Sequence, residues 1–134
     1  MVRVVIDTNV LISALVGHGK PKRLVSRVLE EHVLVTSMEM LAELSDVISR
    51  GKFSQVKRSQ ATSFISKLAV EADIVRPKRY VRIIKEDPDD DVVLVTAHEG
   101  KAEYIISGDK HLLDLRAYKG TKIMTASEML EVLG

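Results

Sequence analysis

The chain has 134 residues, 46% of them apolar and 29% charged, with a formal net charge of +1. That composition excludes a disordered or membrane-spanning chain, and the length suits a single domain over residues 1–134 with little room for a second. The absence of cysteine excludes disulfides and thiolate-bound zinc. No apolar run approaches the ~18 residues that span a bilayer, and Asp7 falls where a signal peptide would be apolar, so a cytoplasmic location without membrane attachment is the simplest expectation.

VRVVI at the start is a nearly continuous β-branched run, as expected of a strand buried on both faces. DTN and a small apolar helix, VLISALV, follow. After the interruption around Gly17, Pro21 suits the first turn of a second helix through LVSRVLEEH. VLVTS reads as a strand, with Thr36 or Ser37 capping a helix from Met38 towards Arg50 in which Leu41, Leu44 and Ile48 recur at helical spacing. Ser54 to Ala72 has the pattern of another amphipathic helix. DIVRP is a short strand or an extended exit, since the residue before Pro77 is pushed towards extended backbone, and Arg76 to Lys85 is a basic connection.

DPDDD reads as a turn and N-cap leading into the helix VVLVTAHEG, which Gly100 stops. AEYIIS is a further buried strand, GDKHLLDL a short helix, TKIMT the last strand and ASEMLEVL the last helix. Strands alternating with helices imply a three-layer α/β/α fold with a mainly parallel central sheet. In such sheets ligands bind beyond the carboxyl ends of the strands, which is where chemistry is expected.

Asp7 directly follows the first strand, and Asp109 follows YIIS by one glycine. Either position alone is commonly a helix cap or turn residue. Two acids at equivalent strand ends are harder to dismiss, because gathered carboxylates repel one another unless a cation neutralises them. If residues 90 to 99 are helical, the neighbours of Asp90 at i+3, i+4 and i+7 are Val93, Leu94 and Ala97. Asp90 therefore aligns with the buried stripe, and Asp89 and Asp91 are expected to lean towards solvent. Glu43, with Met40 and Val47 around it, borders the apolar face of its helix; Glu39 and Asp46 have weaker claims.

Charge is unevenly spread. From Arg50 to Lys85 there are ten Lys/Arg against Glu71 and Asp73, and from Glu86 to Asp114 nine Asp/Glu against Lys101 and Lys110. Two solvated surfaces explain the runs, and so does a cation-requiring carboxylate site beside a surface for an anionic polymer; composition does not decide between them. Candidate phosphate contacts are Arg50, Lys52, Lys57 and Arg58, with Lys20, Lys22 and Arg23. His18, His32, His98 and His111 lack the close pairing of a zinc motif and read as surface residues, although His111 lies near enough to Asp109 to touch a phosphate. No Gly-rich phosphate loop or serine elbow is present.

The segments VVIDTNV, ELSDVIS, DPDDDVVLVTA, YIISGDKHLLDL and IMTASEML, in this order and spacing, resemble a PIN-domain ribonuclease across the whole chain. The resemblance is to the VapC-like branch described as toxin components of toxin–antitoxin systems. It puts Asp7, Glu43, Asp90 and Asp109 on the four acidic positions of the family, and Asn9 and Ser107 on its supporting polar positions, with Ser107 where Thr is more usual. What it implies is an Mg²⁺- or Mn²⁺-dependent endoribonuclease leaving 5′-phosphate and 3′-hydroxyl ends, an RNA substrate, homodimers and a small antitoxin partner. The rival readings are a non-catalytic PIN-like module that binds RNA or protein, and a haloacid-dehalogenase-like phosphatase. The phosphatase wants a second Asp two residues after the first, where this chain has Asn9. A receiver-like domain is more distant, since it wants paired acids after the first strand.

Overall fold

The computed structural model describes residues 1–50, 57–77 and 88–134, with the side chains of residues 88 and 89 outside the description. In chain order the elements are β1 (Arg3–Ile6), α1 (Thr8–Val16), α2 (Lys20–Glu31), β2 (Val33–Ser37), α3 (Met38–Ser49), α4 (Arg58–Glu71), β3 (Asp73–Val75), α5 (Pro88–Glu99), β4 (Tyr104–Ile106), α6 (Lys110–Leu115), β5 (Ala117–Tyr118), β6 (Thr121–Met124) and α7 (Ala126–Leu133). Lys52, Ser54 to Val56, the basic connection from residue 78 to Lys85, and Asp87 lie outside the described residues.

The strands form a six-stranded sheet in the order β3-β2-β1-β4-β6-β5. Pairing is parallel throughout except between β5 and β6. Successive side chains of a strand face opposite sides, and the sequence uses both. Val4, Ile6, Leu34 and Ile106 enter one apolar cluster with residues of α1, α2, α3, α4 and α7. Val5, Val35 and Ile105 enter the other with residues of α5 and α6. This two-sided burial produces the three layers and explains why β1, β2 and β4 are apolar without alternation. The chain order runs outward from β1 in both directions, so the carboxyl ends of β1 and β4 flank a topological switch point.

Local chemistry sets several boundaries. Ser37, not Thr36, caps α3, its Oγ accepting the Met40 N–H at 3.4 Å. The Thr36 hydroxyl is buried with no hydrogen-bond partner among the described residues. Arg27 on α2 donates to the carbonyls of Leu133 and Gly134 at 2.8 and 2.7 Å, fixing the chain end. The two-residue strand β5 carries too little pattern to announce itself in the sequence.

Helix α5 corrects two expectations. It begins at Pro88, so Asp89 to Asp91 belong to the helix rather than to a turn before it. Asp91 is buried, not solvent-facing, with 6% of its surface exposed. The reason is that α5 is buried over more than one stripe: Val93, Leu94, Val95, Thr96 and Ala97 are all buried in succession. The helix ends at Glu99, directly before Gly100 as expected, but the left-handed residue of its cap is another one. Lys101, not Gly100, is in the left-handed region, at φ 53°. The Ala102 N–H donates to the Ala97 carbonyl and the Lys101 N–H to that of His98, the bonding of a Schellman cap. Gly100 is required for space instead: a β-carbon there would run into Val35 Cγ1 and lie 3.1 Å from both Val75 Cγ1 and the Thr96 carbonyl oxygen.

Candidate metal centre

The carboxyl ends of β1 and β4, the middle of α3 and the start of α5 position the acidic residues. Asp7 leaves β1 as the N-cap of α1, its Oδ1 accepting the Thr8 N–H at 2.8 Å. Its backbone N–H continues the sheet by donating to the Ile106 carbonyl at 2.9 Å, which ties the exits of β1 and β4 together. The second oxygen, Oδ2, accepts the hydroxyl of Ser107 at 2.7 Å. Asp7 is 6% exposed and Ser107 is 1% exposed, so this bond is dry and geometrically fixed.

Ser107 serves a second acid as well. Its Oγ accepts the backbone N–H of Asp109 at 2.9 Å. Asp109 caps α6, its Oδ1 accepting from the His111 N–H at 2.7 Å and the Leu112 N–H at 3.4 Å. Gly108 between them has open space where a β-carbon would be, so it is not demanded by packing. The run Ser-Gly-Asp therefore couples the Asp7 carboxylate to the Asp109 backbone through one hydroxyl.

Asp90, in the first turn of α5 and buried, comes to the same place. Ligand-capable atoms of Asp90, Asp109 and His111 all lie within 4.8 Å of one another. Two carboxylates and an imidazole at that spacing are the donors a divalent cation takes, and the negative charge gathered there favours one. The His111 Nδ1 lies 3.9 Å from Asp109 Oδ1, and its side chain stays 49% exposed, facing solvent at the rim. Surface exposure alone would have left this histidine unremarked; its spacing of two residues from Asp109 was the available signal.

Glu43 is half-buried in the middle of α3, and its Oε2 accepts the Thr8 hydroxyl at 3.3 Å. Thr8, 2% exposed, thus links Glu43 to the residue beside Asp7. Sequence reading missed Thr8 because a threonine after a capping Asp looks like an ordinary first-turn residue. Asn9 is exposed on α1, and its backbone carbonyl accepts from the Ser13 hydroxyl at 3.0 Å. Glu39 and Asp46 are exposed on α3, and Asp46 pairs with Arg50. Of the basic candidates, Lys20, Arg23, Arg50, Lys57 and Arg58 are exposed and Lys22 is half-buried; Lys20 donates to the Ser127 hydroxyl at 2.9 Å.

Comparison with known proteins identifies the family and the fold. Residues 3–111 match the family model described as PIN domain. An uncharacterized protein of Methanocaldococcus jannaschii, MJ1680, is 31% identical over 119 residues, which is 86% of this chain and 76% of that protein. Among solved structures, PAE2754 from Pyrobaculum aerophilum superposes with a TM-score of 0.66 at 13% identity, over 98% of this chain and 90% of that one. VapBC2 from Rickettsia felis, bound to a DNA fragment from its promoter, gives a TM-score of 0.62 at 14% identity, over 90% of this chain and 96% of that one. At such low identity these two structures speak for the fold, and the family match spans most of the chain: this protein belongs to the PIN domain family.

Proposed function

We propose that the protein is a divalent-metal-dependent endoribonuclease, hydrolysing RNA phosphodiester bonds at a site built on Asp7, Glu43, Asp90 and Asp109. The observation that carries this reading is the approach of Asp90, Asp109 and His111 to within 4.8 Å, beside an Asp7 tied to Asp109 through Ser107. Carboxylate oxygens are hard donors that suit Mg²⁺ or Mn²⁺. Asp90 and Asp109, with Asp7 behind them, would hold the cation, and Glu43 would help hold a second one or orient water. When bound, a divalent cation neutralises charge at the scissile phosphate and acidifies the attacking water.

The protein's own groups divide the remaining work. Thr8 and Ser107 each fix one oxygen of an acid, so less ordering is needed when substrate arrives. Glu43, half-buried and steadied by Thr8, is the carboxylate best suited to accept a proton from water. His111 at the rim suits a phosphate oxygen of the RNA. Asn9, exposed on the first turn of α1, is a further polar candidate for the same end of the sheet.

The family and the Rickettsia felis neighbour also support the toxin half of a toxin–antitoxin pair, with a small protein partner and a homodimer as its expected assemblies. Among the described residues no helix is long and apolar enough to cross a membrane.

The test is cleavage of a mixed single-stranded RNA with Mg²⁺, with Mn²⁺ and with EDTA, beside Asp90→Asn and Asp7→Asn variants whose folding is checked by circular dichroism. Metal-dependent cutting that disappears in both folded variants supports the assignment. Full activity in either variant, or equal cutting in EDTA, overturns it.

A further inference from the structure

At the opposite edge of the sheet, where the parallel strands begin, there is a cavity of about 680 Å³. It lies between the end of α5, the start of β4 and the β5–β6 turn. Its ionisable lining comprises His98, Glu99, Lys101, Glu103, Lys119 and Lys122.

The backbone under two of these lysines is unusual. Among the described residues only three other than glycine have positive φ, and all three are basic: Lys101 at 53°, Arg116 at 63° and Lys119 at 48°. Two of the three line this one cavity. A β-carbon is disfavoured in the left-handed region, and glycine is the residue that fits it without cost. Lysine contributes nothing there that the turn itself requires. Strained positions of this kind collect where side chains are kept for function.

The ammonium of Lys119 is also pre-positioned. Its Nζ lies 5.5 Å from the centroid of the Tyr118 ring, over its face, and that ring meets His98 edge-on at 6.4 Å. The exposed His98 ring and the Lys119 ammonium therefore pack against the same tyrosine. Glu103 Oε1 is occupied by the Arg3 backbone N–H at 3.3 Å, and the Arg3 guanidinium donates to the Gly100 carbonyl at 2.8 Å while pairing with Asp73. The last carbonyls of α5 are covered by its Schellman bonds, which blunts the negative end of the helix dipole.

Cations in a polar cavity beside a ring are the chemistry that holds single-stranded nucleic acid, phosphate on ammonium and base on ring. We propose that this cavity binds a phosphate-bearing nucleotide of single-stranded RNA away from the carboxylate centre, through Lys101, Lys119 and Lys122 with His98 as its stacking face. Asp90 and His98 occupy the two ends of α5, ~12 Å apart along its axis at 1.5 Å per residue. One strand of RNA reaches both. The choice of RNA as the ligand rests on the ribonuclease reading; the existence of the anion site does not.

The test uses the full chain in EDTA, so that binding is read without cleavage. Fluorescence anisotropy of a short labelled oligouridylate is compared for wild type, a Lys101→Gly/Lys119→Gly variant and Lys122→Gln. Glycine suits both turns, so the double variant should melt no lower than wild type while binding about tenfold more weakly. Its slope of log affinity against log salt should fall by about 0.7 for each phosphate that is no longer neutralised. Lys122→Gln should weaken binding in the same direction, and it stands as the reading variant if the glycine pair melts lower. Lys67→Ala, on the distant α4, should leave affinity unchanged.

Unchanged affinity in the double variant and in Lys122→Gln overturns the proposal. So does equal displacement of the RNA by polyglutamate, which would make this a surface for an acidic protein segment. Cleavage is scored separately with metal added. Lysine-dependent binding without cleavage keeps this site and discards the ribonuclease reading; cleavage with lysine-independent binding does the reverse.

Discussion

Ser107 donates its hydroxyl hydrogen to Asp7 across a hundred residues of sequence, at 2.7 Å, and accepts the N–H of Asp109 with the same oxygen at 2.9 Å. One buried hydroxyl thereby sets the distance between two acids that arrive from different strands. Ser107→Ala leaves the Asp109 N–H without its acceptor and Asp7 without this donor. The expected cost is about 1–3 kcal/mol in folding stability and about 10–100-fold in metal affinity or cleavage rate. Ser107→Thr keeps the hydroxyl and should retain most of both. Urea denaturation and a metal titration of the cleavage rate check this; an alanine variant equal to wild type in both would remove Ser107 from the site.

Gly100 and Lys101 make opposite predictions from adjacent positions. A methyl group at Gly100 runs into Val35, fully buried on β2, with half-buried Val75 of β3 and the Thr96 carbonyl close beside it, and a buried core side chain yields little. Gly100→Ala should cost about 1–3 kcal/mol by overpacking. Lys101→Gly should raise stability by up to about 1 kcal/mol, because it relieves a left-handed lysine in the Schellman cap. Thermal melts of the two single variants decide the point, and equal shifts in one direction would contradict it.

Glu128 provides a pH signature far from the acids. In the capping box of α7 its Oε1 accepts the Thr125 N–H at 3.1 Å and the Thr125 hydroxyl at 3.0 Å. These bonds, the backbone one foremost, hold its pKa below the ordinary value for a glutamate. A carboxylate with a depressed folded pKa stabilises the fold at pH above its unfolded value, and that contribution is lost as pH falls through the folded pKa. The urea midpoint of wild type should therefore exceed that of Glu128→Gln at neutral pH, and the gap should close in acid. Gln keeps the capping geometry, so the difference isolates the charge; a gap constant with pH would refute the assignment.

What was legible in the sequence, and what was not, follows from how far each feature reaches. β1, β2 and β4 were readable because burial on both faces demands unbroken apolar runs, and Asp7 and Asp109 stood out as the polar residues that end such runs. Asp90 was readable from its i+3, i+4 and i+7 neighbours, all of which are buried. The same periodicity failed for Asp91, since a helix covered on more than one side has no dependable polar face. Gly100 looked like a helix stop because glycine usually fills that role; only its packing against Val35 and Val75 reveals the other reason. Thr8 and His111 acquire meaning from partners that local pattern does not select, one on α3 and the other on α5. The pairing of Asp7 with Ser107 could be suspected only through the family resemblance.

Thr8 and Glu43 give the sharpest test of how the fourth acid is held. The Thr8 hydroxyl, buried at the start of α1, donates to Glu43 Oε2 at 3.3 Å. Thr8→Val preserves shape and removes that donor, at about 1 kcal/mol in stability for one hydrogen bond. If the hydroxyl acts only through Glu43, cleavage should fall about 10–100-fold in Thr8→Val and at least as far in Glu43→Gln. The Thr8→Val/Glu43→Gln double variant should then be no slower than Glu43→Gln alone, because the second change removes a support whose object has already lost its charge. Additive losses would mean that the Thr8 hydroxyl serves the site by a route other than Glu43, because valine keeps the backbone N–H that bonds Asp7. Thr8→Ser, which keeps the donor, should restore the rate in the first case and gives the cycle its control.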